Sequence, residues 1–224
     1  MKDLDLSVII PAYNEEEIIE ECIKRIIRES EKEDVGCEIL VINDGSSDGT
    51  EDICRRYKNI RLFRNKTNQG YSRSARIGLI HSKGEYVSIL DADLQYNPKD
   101  MIKLLKIAKS KDLDLVIGKP TRNKYESYRR FVSYIYNKIV RILFRIKIED
   151  VNSLKVIKRS SISRNKLLSN EIINIQLIKS VKKVEKVAQV PITVRPRKKG
   201  NSKFSLLLIL KTLKDIIRYR YKYG

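Results

Sequence analysis

Two carboxylates, Asp91 and Asp93, close the run YVSILDAD with only Ala92 between them, and Gln95 follows two positions later. Acids at the end of an apolar segment repel each other and add nothing to a core, so the arrangement calls for a cation. In an extended segment residues two apart point the same way, which would aim Asp91, Asp93 and Gln95 at one point. Hard divalent ions such as Mg2+ or Mn2+ take oxygen ligands of this kind and bridge carboxylates to a diphosphate. There the ion also neutralises charge on a phosphate leaving group. Standing alone, the same residues are better read as a solvated turn with an Asx cap ahead of the helix that Pro98 opens.

A second candidate stretch is NDGSSDGT, residues 43–50. Gly45 and Gly49 permit tight backbone geometry, and Ser46, Ser47, Asp48 and Thr50 can cap a following helix. Asp44 is not needed as a cap and so is free to accept hydrogen bonds from a ribose or a base. PAYNEEE, residues 11–17, likewise opens a helix while leaving Tyr13 and Glu15 near a strand end.

The elements that must position these groups are legible as period and punctuation. LSVII (6–10), EILVI (38–42), IRLFR (60–64), YVSIL (86–90) and LDLVIG (113–118) read as strands. Helical spacing runs over 15–30, about 49–58, the NQGYSRSARIGLIHS stretch and from Pro98 to about 110. Apolar strands alternating with helices predict an α/β fold with a mainly parallel sheet covered on both faces. Ligands of such sheets bind beyond the strand C-terminal ends, where all three loops fall. The second half is less regular. Residues 128–148 and 204–223 read as basic amphipathic helices bearing tyrosines, and 186–196 as an edge strand, since Pro191 and Pro196 suit an edge.

In combination, VIIPAYNEEE, INDGSSDGT and NQGYSRSARIGLIHSKGEYVSILDADLQYNP, in this order and spacing, resemble family 2 glycosyltransferases of the GT-A fold, a three-layer α/β sandwich. Within that family DADLQ, the TR pair ending in Arg122, and VPITVRPRKKGNSK are similar to the polyprenol-phosphate (dolichol-phosphate) sugar synthases. The resemblance implies a nucleotide-sugar site. Pro11, Tyr13, Glu15, Ile42 and Asp44 would hold base and ribose. Asp91, Ala92, Asp93 and Gln95 would place diphosphate and metal, with the three oxygen-bearing side chains as ligands of Mg2+ or Mn2+. Arg122, Arg197 and Lys203 would bind phosphate oxygens, and Asp93, Arg122 and Arg197 would carry catalysis. Residues 1–203 would form the catalytic domain, with a nucleotide-sugar-binding half (1–120) and an acceptor half (121–203), followed by the helix at 204–224. DVNSLKVIKR (150–159) departs from the family pattern by lacking a glycine after the serine, and Gln189 stands where an acid is common.

Composition bears on the acceptor. The chain has 224 residues, 42% of them hydrophobic, with a formal net charge of +19. An ordinary Lys/Ile-rich composition accounts for part of that charge, and anionic partners for the rest. No RNA- or DNA-binding motif is present, so no nucleic-acid partner is expected. A hydroxyl acceptor would need a general base, for which Asp150 and Glu171 are the candidates. A lipid monophosphate arrives as an anion, with a second pKa near about 6, and needs cations. Arg122, Arg129, Arg130, Arg197, Lys198, Lys199 and Lys203 supply them, and without tryptophan the QxxRW signature of processive synthases is absent. The reading leans to transfer of a hexose, from a GDP-mannose or UDP-glucose type donor, to a polyprenyl or dolichyl phosphate. Residues 128–148 suit the domain core and an anionic leaflet equally, whereas 204–223 would lie on such a leaflet or meet a membrane-anchoring partner subunit. Neither a secretory signal nor a stretch of the ~20 apolar residues that span a bilayer is visible. The expected location is cytoplasmic, peripheral at the cytosolic membrane face. Cys22, Cys37 and Cys54 read as reduced packing residues, and His81 as a surface residue late in a helix.

Overall fold

A computed structural model describes residues 3–121, 127–162, 172–181, 184–195 and 206–223. Its strands are β1 (Leu6–Ala12), β2 (Cys37–Asn43), β3 (Ile60–Arg64), β4 (Tyr86–Ile89), β5 (Leu115–Pro120), β6 (Lys155–Lys158) and β7 (Val187–Ile192). The helices are α1 (Ile19–Lys32), α2 (Thr50–Arg55), α3 (Tyr71–His81), α4 (Pro98–Ser110), α5 (Ser127–Phe144), α6 (Ile173–Ser180) and α7 (Leu206–Tyr223).

One sheet runs β3-β2-β1-β4-β6-β5-β7. β1 is its parallel centre, pairing Ile9 with Leu40 of β2 and with Ile89 of β4. Its side chains alternate between two cores. Leu6, Val8 and Ile10 join α1, α2 and α4 on one face, while Ile9 joins α3, α5, α6 and α7 on the other. Each fully buried valine or isoleucine contributes about 1.5–3 kcal/mol of apolar burial, and β1 places Val8, Ile9 and Ile10 in a row. Such a strand has no solvent face, which is why its sequence reads as an uninterrupted apolar run.

β6 is the departure from parallel order. It lies antiparallel between β4 and β5, with Val87 opposite Ile157 and Val116 opposite Val156. β7 pairs parallel to β5 at the sheet edge, in keeping with Pro191.

Helix boundaries show local chemistry at work. Asn97 caps α4 by accepting from Lys99 N–H at 3.1 Å, with Pro98 at the first helical position. The sequence starts the first helix at 15, yet α1 begins at Ile19, because the N–H groups of Glu15 and Glu16 are given to a neighbouring loop. α5 stops at Phe144 rather than 148. Arg145 turns left-handed at φ 52, and Ile146 N–H reaches back to Arg141 O at 3.2 Å, a Schellman-type stop.

α7 turns one face to the core and leaves another exposed. Ile216 is fully buried and Tyr219 packs at a tilt against Phe144 of α5 with ring centroids 5.8 Å apart, so this face packs on the core. Tyr134, Ile135 and Ile142 of α5, with Ile217 and Tyr221 of α7, remain exposed. No helix among the described residues is long and apolar enough to cross a membrane.

The cysteines are free thiols, and burial pushes Cys37 and Cys54 up to about 11. His81 ends α3, exposed, its ring against Phe63.

Candidate active site

The C-terminal edge of the parallel strands brings together the loops that follow β1, β2 and β4. The first two are laced to each other. Asn14, left-handed at φ 55, accepts from Ser47 N–H at 2.9 Å and donates its own N–H to Ser46 Oγ at 3.0 Å. Glu15 N–H donates to Thr50 Oγ1 at 2.9 Å and Glu16 N–H to Asp48 Oδ2 at 3.1 Å. In return Glu16 Oε2 accepts from Gly49 N–H at 2.7 Å. The serines that the sequence offers as helix caps therefore cross-link two loops instead. Asp48 does both, since its other oxygen, Oδ1, accepts from Thr50 N–H at 3.0 Å within its own segment.

Asp44 is not free. It is almost fully buried, and its Oδ1 accepts from Asn65 Nδ2 at 2.7 Å and from Gln69 N–H at 2.9 Å. Its Oδ2 accepts from Gly70 N–H at 2.8 Å. A carboxylate with three donors fixes the 65–70 loop beside the strand end. The loop lies so close that a Cβ on Gly45, at φ 74, would come within 2.7 Å of the Thr67 carbonyl carbon. Only glycine meets both demands there.

Beyond β4 the chain does not stay extended. It turns at Ala92–Asp93, Leu94 is left-handed at φ 55, and Asp93 Oδ1 accepts from Gln95 N–H at 3.0 Å. The two-apart alignment of Asp91, Asp93 and Gln95 expected from an extended run is thus replaced by an Asx turn that buries Asp93 and leaves Asp91 and Gln95 half-buried. The acids still share one neighbourhood. The Cys22 thiol beneath them, on α1, is pushed far up by burial first and by the charges of Asp93 and Asp91 next. Tyr71, at the first turn of α3, hydrogen-bonds Asp91, and its phenol is held well above its usual range by desolvation and then by that carboxylate. Gln95 O accepts from Arg195 N–H at 2.9 Å, which brings the segment leading to the basic RKKGNSK run against the acidic turn.

The other sequence candidates divide clearly. Pro11 and Ile42 are register partners in the β1–β2 ladder, and Ile42 and Ala92 have buried side chains, so they can meet a ligand only through backbone atoms. Tyr13 and Glu15 are half-buried at the β1 end. Arg122, Arg197, Lys203 and Glu171 lie outside the described residues. Asp150 is half-buried and accepts from Asn152 N–H at 3.0 Å.

Sequence reasoning missed Tyr71, the Asn65–Gly70 loop and Lys155. Lys155 is buried at the start of β6, and its amine is lowered to about 8 by burial against the opposing charges of Asp150 and Asp91. A lysine in a KVIK strand gives no sequence sign that it points inward.

Among the described residues no three His, Cys, Asp or Glu side chains gather as a metal cage. A cation held here would take one or two carboxylates and complete its shell with phosphate oxygens and water, which is the manner of Mg2+ and Mn2+. The half-buried Asp91 and the buried Asp93 fit that mode.

Laced strand-end loops and an acidic turn at the edge of a mostly parallel sheet define a nucleotide-sugar transferase architecture of the GT-A kind. The family model described as "Glycosyl transferase family 2" matches residues 7–174, and the chain belongs to that family of glycosyltransferases. It is similar to a dodecaprenyl-phosphate galacturonate synthase of Rhizobium johnstonii, 24% identical over 97% of this chain and 67% of the relative. It is also similar to an undecaprenyl-phosphate 4-deoxy-4-formamido-L-arabinose transferase of Edwardsiella ictaluri, 28% identical over 95% of this chain and 66% of the relative. The chain thus spans about two thirds of the length of these relatives. Among solved structures, glucosyl-3-phosphoglycerate synthase of Mycobacterium tuberculosis, in complex with Mn2+, uridine diphosphate and glucosyl-3-phosphoglycerate, shares the fold. Its TM-score is 0.64, at 19% identity over 96% of this chain and 78% of that one.

Proposed function

We propose that the chain transfers a sugar from a nucleotide diphosphate donor to a polyprenyl phosphate at a membrane surface, with a divalent cation at the acidic turn. The observation that carries this reading is the placement of Asp91 and Asp93 between two ligand-competent features. On one side stand the laced loops of Tyr13, Glu15 and Asp44. On the other runs the 193–195 segment, docked on Gln95, that leads into the basic run. The names of the two curated relatives, both polyprenyl-phosphate transferases, support the acceptor class.

In this scheme the base and ribose rest against the β1 and β2 loops, with Asp44 acting by holding the 65–70 loop. Asp91 and Asp93 would hold Mg2+ or Mn2+, which when bound neutralises charge on the departing diphosphate. Tyr71, bonded to Asp91, orients that carboxylate. The acceptor phosphate oxygen forms a bond to the sugar C1 as the bond from C1 to the donor's β-phosphate oxygen breaks. The nucleoside diphosphate leaves on the opposite side and the anomeric centre inverts. No proton has to be removed from a phosphate that arrives as an anion, so Asp150 need not act as a base. Arg122, Arg197 and Lys203 are the proposed phosphate contacts, and a hexose of the GDP-mannose or UDP-glucose type is the proposed donor.

The exposed Tyr134, Ile135, Ile142, Ile217 and Tyr221 are interspersed with Lys138, Lys214, Arg218 and Arg220, also exposed. Apolar side chains among cations suit an anionic leaflet, where each Lys or Arg contributes about 1 kcal/mol. A membrane-anchoring subunit is the other partner this face would suit.

Thermal unfolding against GDP-mannose, UDP-glucose and UDP-N-acetylglucosamine, each with and without Mn2+, tests the donor half of the proposal. A ligand at 100 times its Kd stabilises the folded state by about 2.7 kcal/mol, a rise of roughly 5–10 °C for a chain of this size. One donor should give such a rise only with metal. A flat response to all three with metal present would count against the donor class named here.

A further inference from the structure

Lys155 opens β6 where β4 releases the chain toward Asp91, and its backbone carbonyl accepts from Ser88 Oγ at 2.8 Å. Its side chain leaves the sheet on the α6 face and donates to Asn174 Oδ1 at 2.9 Å. Among the described residues that is the only hydrogen bond of a buried ammonium, which has three protons to place. No ion pair offsets its burial there. Asp150 and Asp91 are the carboxylates whose charges it feels, and both act from beyond ion-pair distance. Two residues earlier Ser153 is fully buried, and its Oγ has no partner among the described residues. Unfilled buried donors are rare and costly, and here an unpartnered hydroxyl and an ammonium with one hydrogen bond among the described residues fall within three consecutive residues at the mouth of the sheet.

The ammonium is close to the surface through a short polar chain. Asn174 Nδ2 donates to Asn152 Oδ1 at 3.1 Å, and Asn152 is exposed while Asn174 is half-exposed. Tyr136 also hydrogen-bonds Asn152. A group entering past Asn152 and Asn174 would meet Lys155 between two carboxylates, so an anion at that point needs the lysine to be tolerated.

We propose that Lys155 and Ser153 form a subsite for phosphate oxygens at the junction of β4 and β6, next to Asp91. Resting on the transfer proposed above, it adds an anchor on the strand side of the site, independent of the basic run at 197–203. Two ligands carry the required chemistry, the diphosphate of the donor and the monophosphate of the acceptor. A tetrahedral anion would supply acceptors for the spare N–H bonds of Lys155 and for the Ser153 hydroxyl together.

The test uses the full chain and its Lys155→Met and Lys155→Arg variants. Methionine keeps the length without the charge, and arginine keeps the charge. Affinity is measured for UDP and GDP with Mn2+, and separately for citronellyl phosphate against its parent alcohol. Lys155→Met should bind one phosphate ligand at least tenfold more weakly, with Lys155→Arg within about threefold of the parent. A loss confined to the nucleotides assigns the subsite to the donor, and a loss confined to citronellyl phosphate assigns it to the acceptor. Unchanged affinity for both classes overturns the subsite, as does a parallel loss of phosphate and alcohol. Should Lys155→Met fail to fold, Ser153→Ala replaces it, and unaltered phosphate affinity there overturns the subsite equally. A parent protein that binds nucleotides but not citronellyl phosphate contradicts the polyprenyl-phosphate reading, while the nucleotide arm still decides the fate of Lys155.

Discussion

Replacing Asp93 by alanine is expected to lower metal-dependent turnover by about 100- to 1,000-fold, the scale set by losing several kcal/mol of cation-borne transition-state stabilisation. The side chain has two separable duties. Its Oδ1 holds the turn by accepting from Gln95 N–H, and its charge acts together with that of Asp91 on their common neighbourhood, where both reach the Cys22 thiol. Asp93→Asn keeps a carbonyl oxygen for the turn and removes the charge, so it should be nearly as inactive as Asp93→Ala while melting within a few degrees of the parent. Initial rates over a Mn2+ titration check this. Near-normal rates in Asp93→Asn would reduce Asp93 to a turn-forming residue and leave the cation to other ligands.

Asp44→Ala should destabilise the fold by about 3 kcal/mol, because it strands three donors that now converge on one buried carboxylate. For a chain of 224 residues that corresponds to a fall in Tm of roughly 6–12 °C. The same change frees the 65–70 loop from the β2 end, so donor affinity should fall beyond what stability alone explains. Asp44→Asn should recover only part of the loss. Its amide presents N–H where Gly70 N–H now needs an acceptor. Calorimetric unfolding with nucleotide titration resolves the two effects. A Tm within 2 °C of the parent for Asp44→Ala would mean that water replaces the carboxylate at little cost (about 1 kcal/mol or less).

Much of this architecture is legible in the chain because its strongest signals are local. β1, β2 and β4 are apolar runs ended by proline, asparagine or aspartate, and Asn97–Pro98 announces α4 by its own capping chemistry. What escapes a sequence reading depends on distant partners. β6 is short, and Lys155 and Lys158 give it a polar look that its place between two strands overrides. Leu94 carries no turn signal, yet the Asx turn at Asp93 forces it left-handed, and the aligned ligand set inferred from an extended run does not form. Asp44 appears available until the loop around Gln69, twenty-five residues away, is seen to close on it. The α7 face carrying Ile216 and Tyr219 is amphipathic in the manner of a membrane-surface helix, and only the position of Phe144 on α5 shows what covers it.

The measurement that bears most directly on the central claim is sugar transfer from the stabilising donor to polyprenyl phosphate, run beside the parent polyprenol. Both acceptors are presented in anionic and in neutral vesicles, with Mn2+ and with chelator. Sugar should appear on the phosphate alone, only with the cation, and faster on anionic vesicles. Transfer to the polyprenol at a comparable rate, or donor turnover with no labelled lipid in any vesicle, would contradict it.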